Sequence, residues 1–577
     1  MGHELLDSTS LLSAENSDAL VLYNSAASPC ARRVRISLLE KGLDFDTVEM
    51  NLINMEQRSP DYLNLNPNGY VPTLSHGEYV IYDSLAINEY LDETFPDRPL
   101  MPKTRDERAQ VRSWIAAEET FSNLFRPLLY QAVMGPIQHI SRTLEEARII
   151  NQASSQDPKD IAWGDKIWQM SILSQAQERQ QESALLAWLD TLDTALENKT
   201  FLVGNYFTQA DISLYPRVKM MSYLGLNLDP NRFANVIAWM DRLSSRTSFK
   251  ESMSEQGKKL EKLANSSLLV KLRRLLKQPS SNLNLLDKSF IWGFGRLIRK
   301  IQKVELTLKA IEKNHQSFSH GNFARDLPMP RKGVAMLAQN KAVQSELYHK
   351  AYSKSINVKA LPDEKVISLI ANSHTIESHK ITLLLDVLTL KYHYQDTHAV
   401  QGISNQNTQI SSPPKVIQPL IKCGAFELAH VIAICEYLIE RFDTKQRWMG
   451  ASSWQKAQVR MWVALDMGTQ KEFAPLWDKY LDQGIKQPIA TEKITAQDEA
   501  FYLNRILQKC QVLDEKLALT RYLTGDVMSL ADLVWYSRFC YLIKIPGFSL
   551  SNFNAIAVWY KGLASEFKPL DKQVALA

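Results

Sequence analysis

The strongest constraint on the fold is that the sequence repeats itself. Residues 86–91 (AINEYL) return 347 positions later as AICEYL at 433–438, and residues 109–114 (AQVRSW) return as AQVRMW at 457–462. Matches in the same order and at similar spacing indicate one structural unit used twice. The chain is therefore predicted to contain two tandem units, with a connector of different composition between them.

Length and composition set further limits. At 577 residues the chain is too long for one hydrophobic core, while 45% hydrophobic and 23% charged residues are ordinary for a globular protein. No uninterrupted apolar run reaches the roughly 20 residues that a membrane-spanning helix needs. The five cysteines form no CxxC pair and no zinc-type cluster with histidines, so neither a metal centre nor a disulfide scaffold is predicted. These features favour the reducing cytoplasm.

The first unit contains two predicted helix starts that suit anionic groups. An apolar strand at residues 20–23 is followed by Ser28-Pro29-Cys30, with Ser28 as the N-cap and Pro29 at the first helical position. The positive end of that helix dipole favours a thiolate near Ser28 and Cys30. A second helix start at Ser84 offers the same kind of site to a carboxylate. Two such sites suit a small thiol peptide.

Three motifs carry a resemblance to a known family: SPCARRVRI at 28–36, NPNGYVP at 66–72, and Asp83-Ser84. In this order they resemble the thioredoxin-like domain of glutathione transferases. The resemblance implies that Pro72 is cis and that the Val71 backbone pairs with the cysteinyl backbone of glutathione. It also implies that Asp83 and Ser84 hold the γ-glutamyl group. Tyr70 stands where many relatives place a glutamine or lysine to support the glycine carboxylate.

The same resemblance leaves two residues open as the group that handles the thiol. Zeta-like transferases place a catalytic serine where Ser28 stands, and its hydroxyl would donate to the glutathione sulfur and favour the thiolate. Beta-like transferases align a cysteine with Cys30, which would instead form a mixed disulfide with glutathione. Arg32, Arg33 and Arg35 on the same helix are interpreted as solvated charges, with the alternative that one of them steers an anionic ligand.

The predicted fold class is α/β plus all-α. It consists of two tandem glutathione-transferase-like modules, each a thioredoxin-like βαβ-ββα domain followed by a helical-bundle domain. The segment from Thr208 to Asp211 resembles the buried capping box of the helical domain, and it recurs at 529–532. An electrophile pocket is expected on the helix that faces the thiol, at Phe121, Phe125, Arg126 and Tyr130.

The expected domain boundaries follow from these matches. They are a flexible tail at 1–18, thioredoxin-like domains at 19–98 and 362–442, helical domains at 104–255 and 449–570, and a basic helical connector at 256–361.

The second copy departs from the first at each position that carries chemistry. His430 and Val431 replace the acid–serine pair, Gln418 precedes the proline in place of valine, and SHT at 373–375 replaces the Ser-Pro-Cys turn. This copy is therefore predicted to be a scaffold. We expect it to pair with the first copy in an intramolecular pseudo-dimer, with a homodimer as the alternative.

The connector is strongly basic. Twelve Lys and Arg residues between Lys258 and Lys303 stand against only Glu261 and Asp287, a local charge of +10. An apolar stripe at 260–276 is expected to pack on the chain's own helices. No nucleic acid or membrane binding is therefore expected, although a basic amphipathic segment leaves both open.

Two functions of different class fit these observations. In the first, the intact module binds glutathione as co-substrate and uses its thiol on a small electrophile, as a transferase or reductase. In the second, the chain is a non-catalytic interaction or regulatory protein. Residues 90–96 and 99–102 are similar to stringent starvation proteins, which are transferase-fold partners of RNA polymerase. The Ser-Pro-Cys turn favours the enzyme, and the altered second copy favours the partner protein.

Overall fold

The computed structural model describes residues 19–52, 55–154, 158–278, 280–302, 367–372, 375–397, 419–480 and 494–567. Several predictions lie outside the described residues. They concern the tail at 1–18, the connector beyond residue 302, and the second-copy residues Ser373, His374 and Gln418.

The first unit opens with a small mixed sheet and its helices. In chain order these are β1 (Leu20–Asn24), α1 (Pro29–Lys41), β2 (Asp46–Glu49), α2 (Pro60–Leu65), β3 (Thr73–His76), β4 (Tyr79–Tyr82) and α3 (Ser84–Thr94). The strand order is β2-β1-β3-β4. β1 pairs parallel with β2 through the α1 crossover, whereas β3 and β4 form an antiparallel hairpin. This is the predicted βαβ-ββα arrangement.

Apolar residues on one side of this sheet make its core. Leu22 of β1 pairs with Leu74 of β3, and both side chains are fully buried. Val34 and Leu38 of α1, one helical turn apart, cover them together with Ile87 of α3. The period-four spacing in the helices and the alternation in the strands therefore place α1 and α3 on the same face of the sheet.

A helical domain follows. Its helices are α4 (Arg105–Leu129), α5 (Gly135–Ser141), α6 (Leu144–Ser154), α7 (Pro158–Gln169), α8 (Gln175–Ala195), α9 (Gln209–Lys219), α10 (Ala234–Ser245) and α11 (Thr247–Glu251), with a π-helical turn at Tyr130–Met134. The predicted capping box is present at the start of α9, where the Thr208 N–H donates to Asp211 at 2.9 Å. The same carboxylate accepts from the Leu202 N–H and from Trp239 Nε1. Asp211 therefore joins a loop and two helices.

The connector begins as three helices and departs from the predicted single stripe. They are α12 (Glu255–Ala264), α13 (Ser267–Leu276) and α14 (Leu285–Gln302). The stripe is interrupted at Asn265, and Ser266 caps a new helix by accepting from the Leu269 N–H at 3.2 Å. Within α13, Leu269 and Leu272 are buried in the core of the first helical domain, whereas Leu268 is exposed. Serine's preference for N-caps explains the interruption.

The second described unit repeats the order of the first. Its elements are β5 (Ile367–Ala371), α15 (Ile376–Val387), β6 (Tyr392–Asp396), β7 (Leu420–Cys423), β8 (Phe426–Ala429), α16 (Val431–Phe442), α17 (Ser453–Tyr480), α18 (Ala496–Leu517), α19 (Leu530–Leu542) and α20 (Asn554–Phe567). The sheet order is β6-β5-β7-β8, with the same parallel and antiparallel pairs. Asp532 accepts from Leu523, Ser529 and Trp559 just as Asp211 does in the first unit.

The two units pack against each other through α3 and α4 of the first and α16 and α17 of the second. Six buried or half-buried charges at this contact form what we call the arginine–glutamate cluster: Arg112, Arg460, Glu89, Glu93, Glu436 and Glu440. Arg112 binds Glu89 of its own unit and Glu436 and Glu440 across the contact. Arg460 binds Glu436 of its own unit and Glu89 and Glu93 across it. The ring of Tyr79 stacks on Trp454 beside the cluster, with centroids 4.6 Å apart.

Hydropathy adds one negative observation on the described helices. None of them combines the length and the apolar character needed to cross a membrane.

Candidate functional site

Strand register brings the predicted site residues to one edge of the first sheet. Thr73 in β3 pairs with Tyr23 in β1 and with Tyr82 in β4. The loop after β1, the Val71-Pro72 bond before β3 and Asp83 after β4 therefore leave the sheet at the same edge. The peptide bond between Val71 and Pro72 is cis, as the resemblance implied.

Ser28 occupies the N-cap of α1, as predicted. Its backbone is extended, with φ −86° and ψ 119°, and its Oγ accepts a hydrogen bond from the Ala31 N–H at 3.2 Å. This bond uses a lone pair of the oxygen and leaves the hydroxyl hydrogen available to a ligand. Ser28 is therefore both a cap and a possible donor at the helix start.

Cys30 lies one residue into the same helix, beside an arginine that the sequence analysis did not identify. Nη2 of Arg217, on α9, donates to Cys30 Sγ at 3.5 Å. Arg217 also pairs with buried Glu118 on α4, and Arg33 Nη2 lies 2.8 Å from the other oxygen of that carboxylate. Burial opposes ionisation of Glu118, but Arg217 and Arg33 outweigh it and lower its pKa to about 2. Fixed charges on three elements therefore converge behind the Cys30 sulfur.

The interpretation of the three α1 arginines as solvated charges is wrong. Arg32, Arg33 and Arg35 are all buried, because α9 and α11 pack over this side of α1. Arg32 donates to Ser252 Oγ at 3.2 Å, and Arg35 Nη1 donates to Asn24 Oδ1 at 2.9 Å. Arg32 and Arg33, which pairs with Glu118 of α4, hold the thioredoxin-like and helical domains together, whereas Arg35 binds within the thioredoxin-like domain.

The loop before the cis bond is fixed by two side chains. Tyr62 Oη donates to the Tyr70 carbonyl at 2.7 Å, and Asn66 Nδ2 donates to the same oxygen at 2.8 Å. The Tyr70 side chain itself is 60% exposed, and the Arg58 guanidinium lies 5.0 Å from its ring centroid. The backbone before Val71 is therefore held in place, while Tyr70 and Arg58 face outward.

Asp83 and Ser84 begin α3, as predicted. Asp83 Oδ1 accepts from the Leu85 N–H at 2.9 Å and from the Ala86 N–H at 3.2 Å. The Asp83 backbone has a φ of +72°, a region that Asp tolerates better than most residues. Burial raises the pKa of Asp83 despite these hydrogen bonds. Asp83 is thus first a helix cap, and Ser84 is buried beside it.

Two of the predicted pocket residues lie in the core instead of at this edge. Phe121 and Phe125 are buried, with ring centroids 5.8 Å apart, among the apolar residues of the helical domain. Arg126 donates to Ser122 Oγ at 3.0 Å, and Tyr130 contacts the ring of Trp163. Helical spacing identified their helix correctly, but the same spacing describes a core face. A cavity of about 310 Å³ is lined by Leu128 of α4, by Gln131 and Ala132 of the π-helical turn, and by Arg273 and Leu276 of α13.

In the second unit, His430 precedes α16 with a backbone conformation like that of Asp83 but without its capping carboxylate. His430 has φ +74° and ψ 120°, close to Asp83, but its side chain makes no capping hydrogen bond. Burial lowers the pKa of His430 to about 4, so the imidazole is neutral at pH 7. Thr375 caps α15 by accepting from the Ser378 N–H at 3.2 Å.

Comparison with known proteins identifies the family. The model for the glutathione S-transferase N-terminal domain matches residues 22–99, and the model for the C-terminal domain matches residues 166–247. Glutathione S-transferase F10 of Arabidopsis thaliana is 30% identical over 227 residues, which span 38% of this chain and 90% of the relative. The chain belongs to the glutathione S-transferase family. The predicted family is thereby confirmed, and with it a transferase-like thioredoxin and helical pair in the first 250 or so residues.

Other proteins similar to this chain match it over different lengths. Glutathione S-transferase 1 of Dianthus caryophyllus is 44% identical over 127 residues, or 22% of this chain and 56% of the relative. Among solved structures, the beta-etherase LigF of Sphingobium sp. strain SYK-6 is similar, at 23% identity and a TM-score of 0.37, over 41% of this chain and 98% of that chain. Both family-model matches fall in the first unit, so the assignment rests on it.

Proposed function

We propose that the first module binds glutathione as co-substrate and uses its thiol on a small electrophile, as a transferase or reductase. The observation that carries the proposal is the start of α1, where the Ser28 hydroxyl and the Cys30 sulfur lie together and Arg217 reaches Cys30 Sγ at 3.5 Å. Relatives named glutathione S-transferases support the same function.

Each group of glutathione is assigned to one part of the site. Its cysteinyl backbone pairs with the Val71 backbone, and its γ-glutamyl group lies at the start of α3 beside Asp83 and Ser84. The glycine carboxylate is directed toward Tyr70, where Arg58 supplies the positive charge that Tyr70 lacks. The thiol then points to Ser28 and Cys30.

Two chemistries are open at the thiol, and a specific observation supports each. The free hydroxyl hydrogen of Ser28 supports direct activation, in which the glutathione thiolate attacks an electrophilic carbon and displaces a leaving group. The Arg217 contact supports exchange at Cys30: its thiolate attacks a glutathionylated disulfide, one thiol leaves, and a second glutathione restores the cysteine and departs as glutathione disulfide.

The test is binding followed by turnover. Calorimetry should find one glutathione per chain, weakened by Asp83→Asn with Ser84→Ala and unchanged by His430→Asn. A panel with an aryl halide and hydroxyethyl disulfide should then show turnover of at least one class. Binding without turnover of any electrophile would favour the non-catalytic interaction protein, and no binding would overturn the proposal.

We propose further that the second unit is a degenerate transferase-like module and that the two modules form an intramolecular pseudo-dimer. The support is the arginine–glutamate cluster, because each of its two arginines binds one glutamate of its own unit and two glutamates of the other unit. Such reciprocity is typical of a two-fold interface. Light scattering should give the mass of one chain, 65.9 kDa. A stable dimer of chains would contradict this arrangement.

A further inference from the structure

Helix α14 presents large apolar side chains to solvent. Leu285 and Leu286 are each 80% exposed, Trp292 is 65% exposed and Leu297 is 51% exposed. Together with exposed Ser289 and Gly293, these residues are spaced three or four positions apart, so they lie on one side of the helix. We call this side the α14 face. Several large apolar side chains exposed on one side of a helix mark a site of interaction.

The opposite side of α14 is anchored, so the orientation of the α14 face is fixed. Phe294 and Ile298 are buried in the core of the first helical domain. Gly295 lies against α5, and Arg299 donates to the Ser141 carbonyl at 2.9 Å and pairs with Glu146. Among the described residues, α14 therefore packs through one side and exposes the other.

Basic residues are interleaved with the exposed apolar ones. Lys288, Arg296 and Lys300 are exposed on the α14 face, and the Arg296 guanidinium lies 4.8 Å from the Trp292 ring centroid. Neighbouring α13 is joined to α14 through Lys271, whose Nζ lies 4.7 Å from the Phe290 ring. α13 adds the exposed residues Leu268, Val270, Lys271, Arg274 and Lys277.

We propose that this surface of α13 and α14 docks onto an anionic phospholipid bilayer, lying in the plane of the interface. Leucine and tryptophan side chains enter the boundary between headgroups and acyl chains, while Lys and Arg extend to the lipid phosphates. Nucleic acid would contact the same charges but would leave three leucines and a tryptophan of α14 in solvent. The proposal departs from the expectation that the connector binds neither.

The test is co-sedimentation of the full chain with vesicles of phosphatidylcholine alone and of phosphatidylcholine with phosphatidylglycerol. The chain should bind the anionic vesicles roughly tenfold or more tightly than the neutral ones. Trp292→Ser with Leu286→Ser, and separately Arg296→Gln with Lys300→Gln, should each weaken that binding by about tenfold. The control is Val558→Ser, which removes an apolar side chain 75% exposed on α20 and should bind as the wild type does.

All of these side chains are exposed, so the thermal unfolding midpoint should stay unchanged and should separate a binding defect from a folding defect. Three results would overturn the proposal. The first is no binding to either kind of vesicle. The second is binding that all variants retain. The third is loss in the charge variant alone, with the apolar variant still bound, which would show that the surface attracts anions through its charge and does not insert into lipid.

Discussion

Ser28 and Cys30 lie at the same helix start, but each would support a different reaction of the glutathione thiol. If the Ser28 hydroxyl activates the thiol, Ser28→Ala should lower turnover of the aryl halide by roughly ten- to a thousandfold, the scale of losing one positioned donor. Glutathione affinity should stay near its wild-type value, because Asp83 and Val71 are unchanged. Steady-state kinetics with calorimetry measure both.

Cys30→Ala is the matched comparison, since it removes the sulfur next to Arg217 and leaves the cap intact. It should abolish disulfide exchange while sparing aryl halide turnover. Loss of both activities in Cys30→Ala alone would assign all of the chemistry to the cysteine and remove Ser28 from it.

A residue of this site could be predicted from the sequence only where the groups it contacts are close to it in the chain. Ser28, Cys30 and Asp83 are local signals, because a cap, a first-turn residue and a helix start can be identified within a few positions. Arg217 and Glu118 were missed because they reach Cys30 only after α4 and α9 pack on α1. The same packing made Arg33 a buried ion-pair partner instead of a solvated charge.

His430 makes the second unit sensitive to acid. Its pKa is about 4 when folded against an ordinary value of 6.5, because of burial. Between these values the unfolded chain binds a proton that the folded chain does not, so stability is complete above pH 6.5 and falls toward pH 4. The loss over this window is about 3 kcal/mol.

His430→Asn should remove that loss, because Asn does not titrate, tolerates a positive φ and can cap α16. Urea unfolding at pH 7.5 and pH 5 compares the two proteins. Exposed His393→Asn is the control and should respond to pH as the wild type does. An unchanged pH response in His430→Asn would show that other groups control acid stability.

At the scale of helices and strands, the sequence pattern predicted the connector least well. The leucine spacing indicated one docked stripe, but Asn265 and Ser266 divide it, because a favourable N-cap outweighs continuation of a weak helix. The βαβ-ββα order was predicted through the family resemblance, because its motifs lie at the ends of β1, β3 and β4. Which side of α14 would be buried was not, because both sides carry large aliphatic and aromatic residues: leucines and Trp292 on the exposed side, Phe294 and Ile298 on the buried side.

Two glycines in α14 offer a matched pair of substitutions. A Cβ at Gly295 would lie 2.5 Å from the Ile140 carbonyl oxygen, whereas a Cβ at Gly293 would meet nothing within 4 Å. Gly293→Ala should therefore raise the free energy of unfolding by roughly 0.5–1 kcal/mol, the difference in helix propensity. Gly295→Ala should lower it, because α14 must move away from α5. Thermal unfolding measures both, and equal stabilisation would mean that α14 does not pack on α5 in solution.

At the scale of the whole molecule, the arginine–glutamate cluster joins the two units. Arg112→Met would leave Glu89, Glu436 and Glu440 close together without one of their cations, so it should destabilise the protein by about 3–5 kcal/mol. Arg148→Met removes an exposed partner of Asp165 and should cost far less, because solvent screens that pair. Urea unfolding compares them, and a similar loss in both would mean that the cluster is solvated.

The contact between the units has an evolutionary consequence. In a dimer of identical chains, every substitution falls on both partners, so a change that removes the cap at one site removes it at the other. When both partners belong to one polypeptide, each can change alone. If the second unit is a degenerate copy, as we propose, His430 and Val431 could arise in one half while Asp83 and Ser84 were kept in the other. Selection on the second half would then act on the surface that Arg460 and Glu436 maintain.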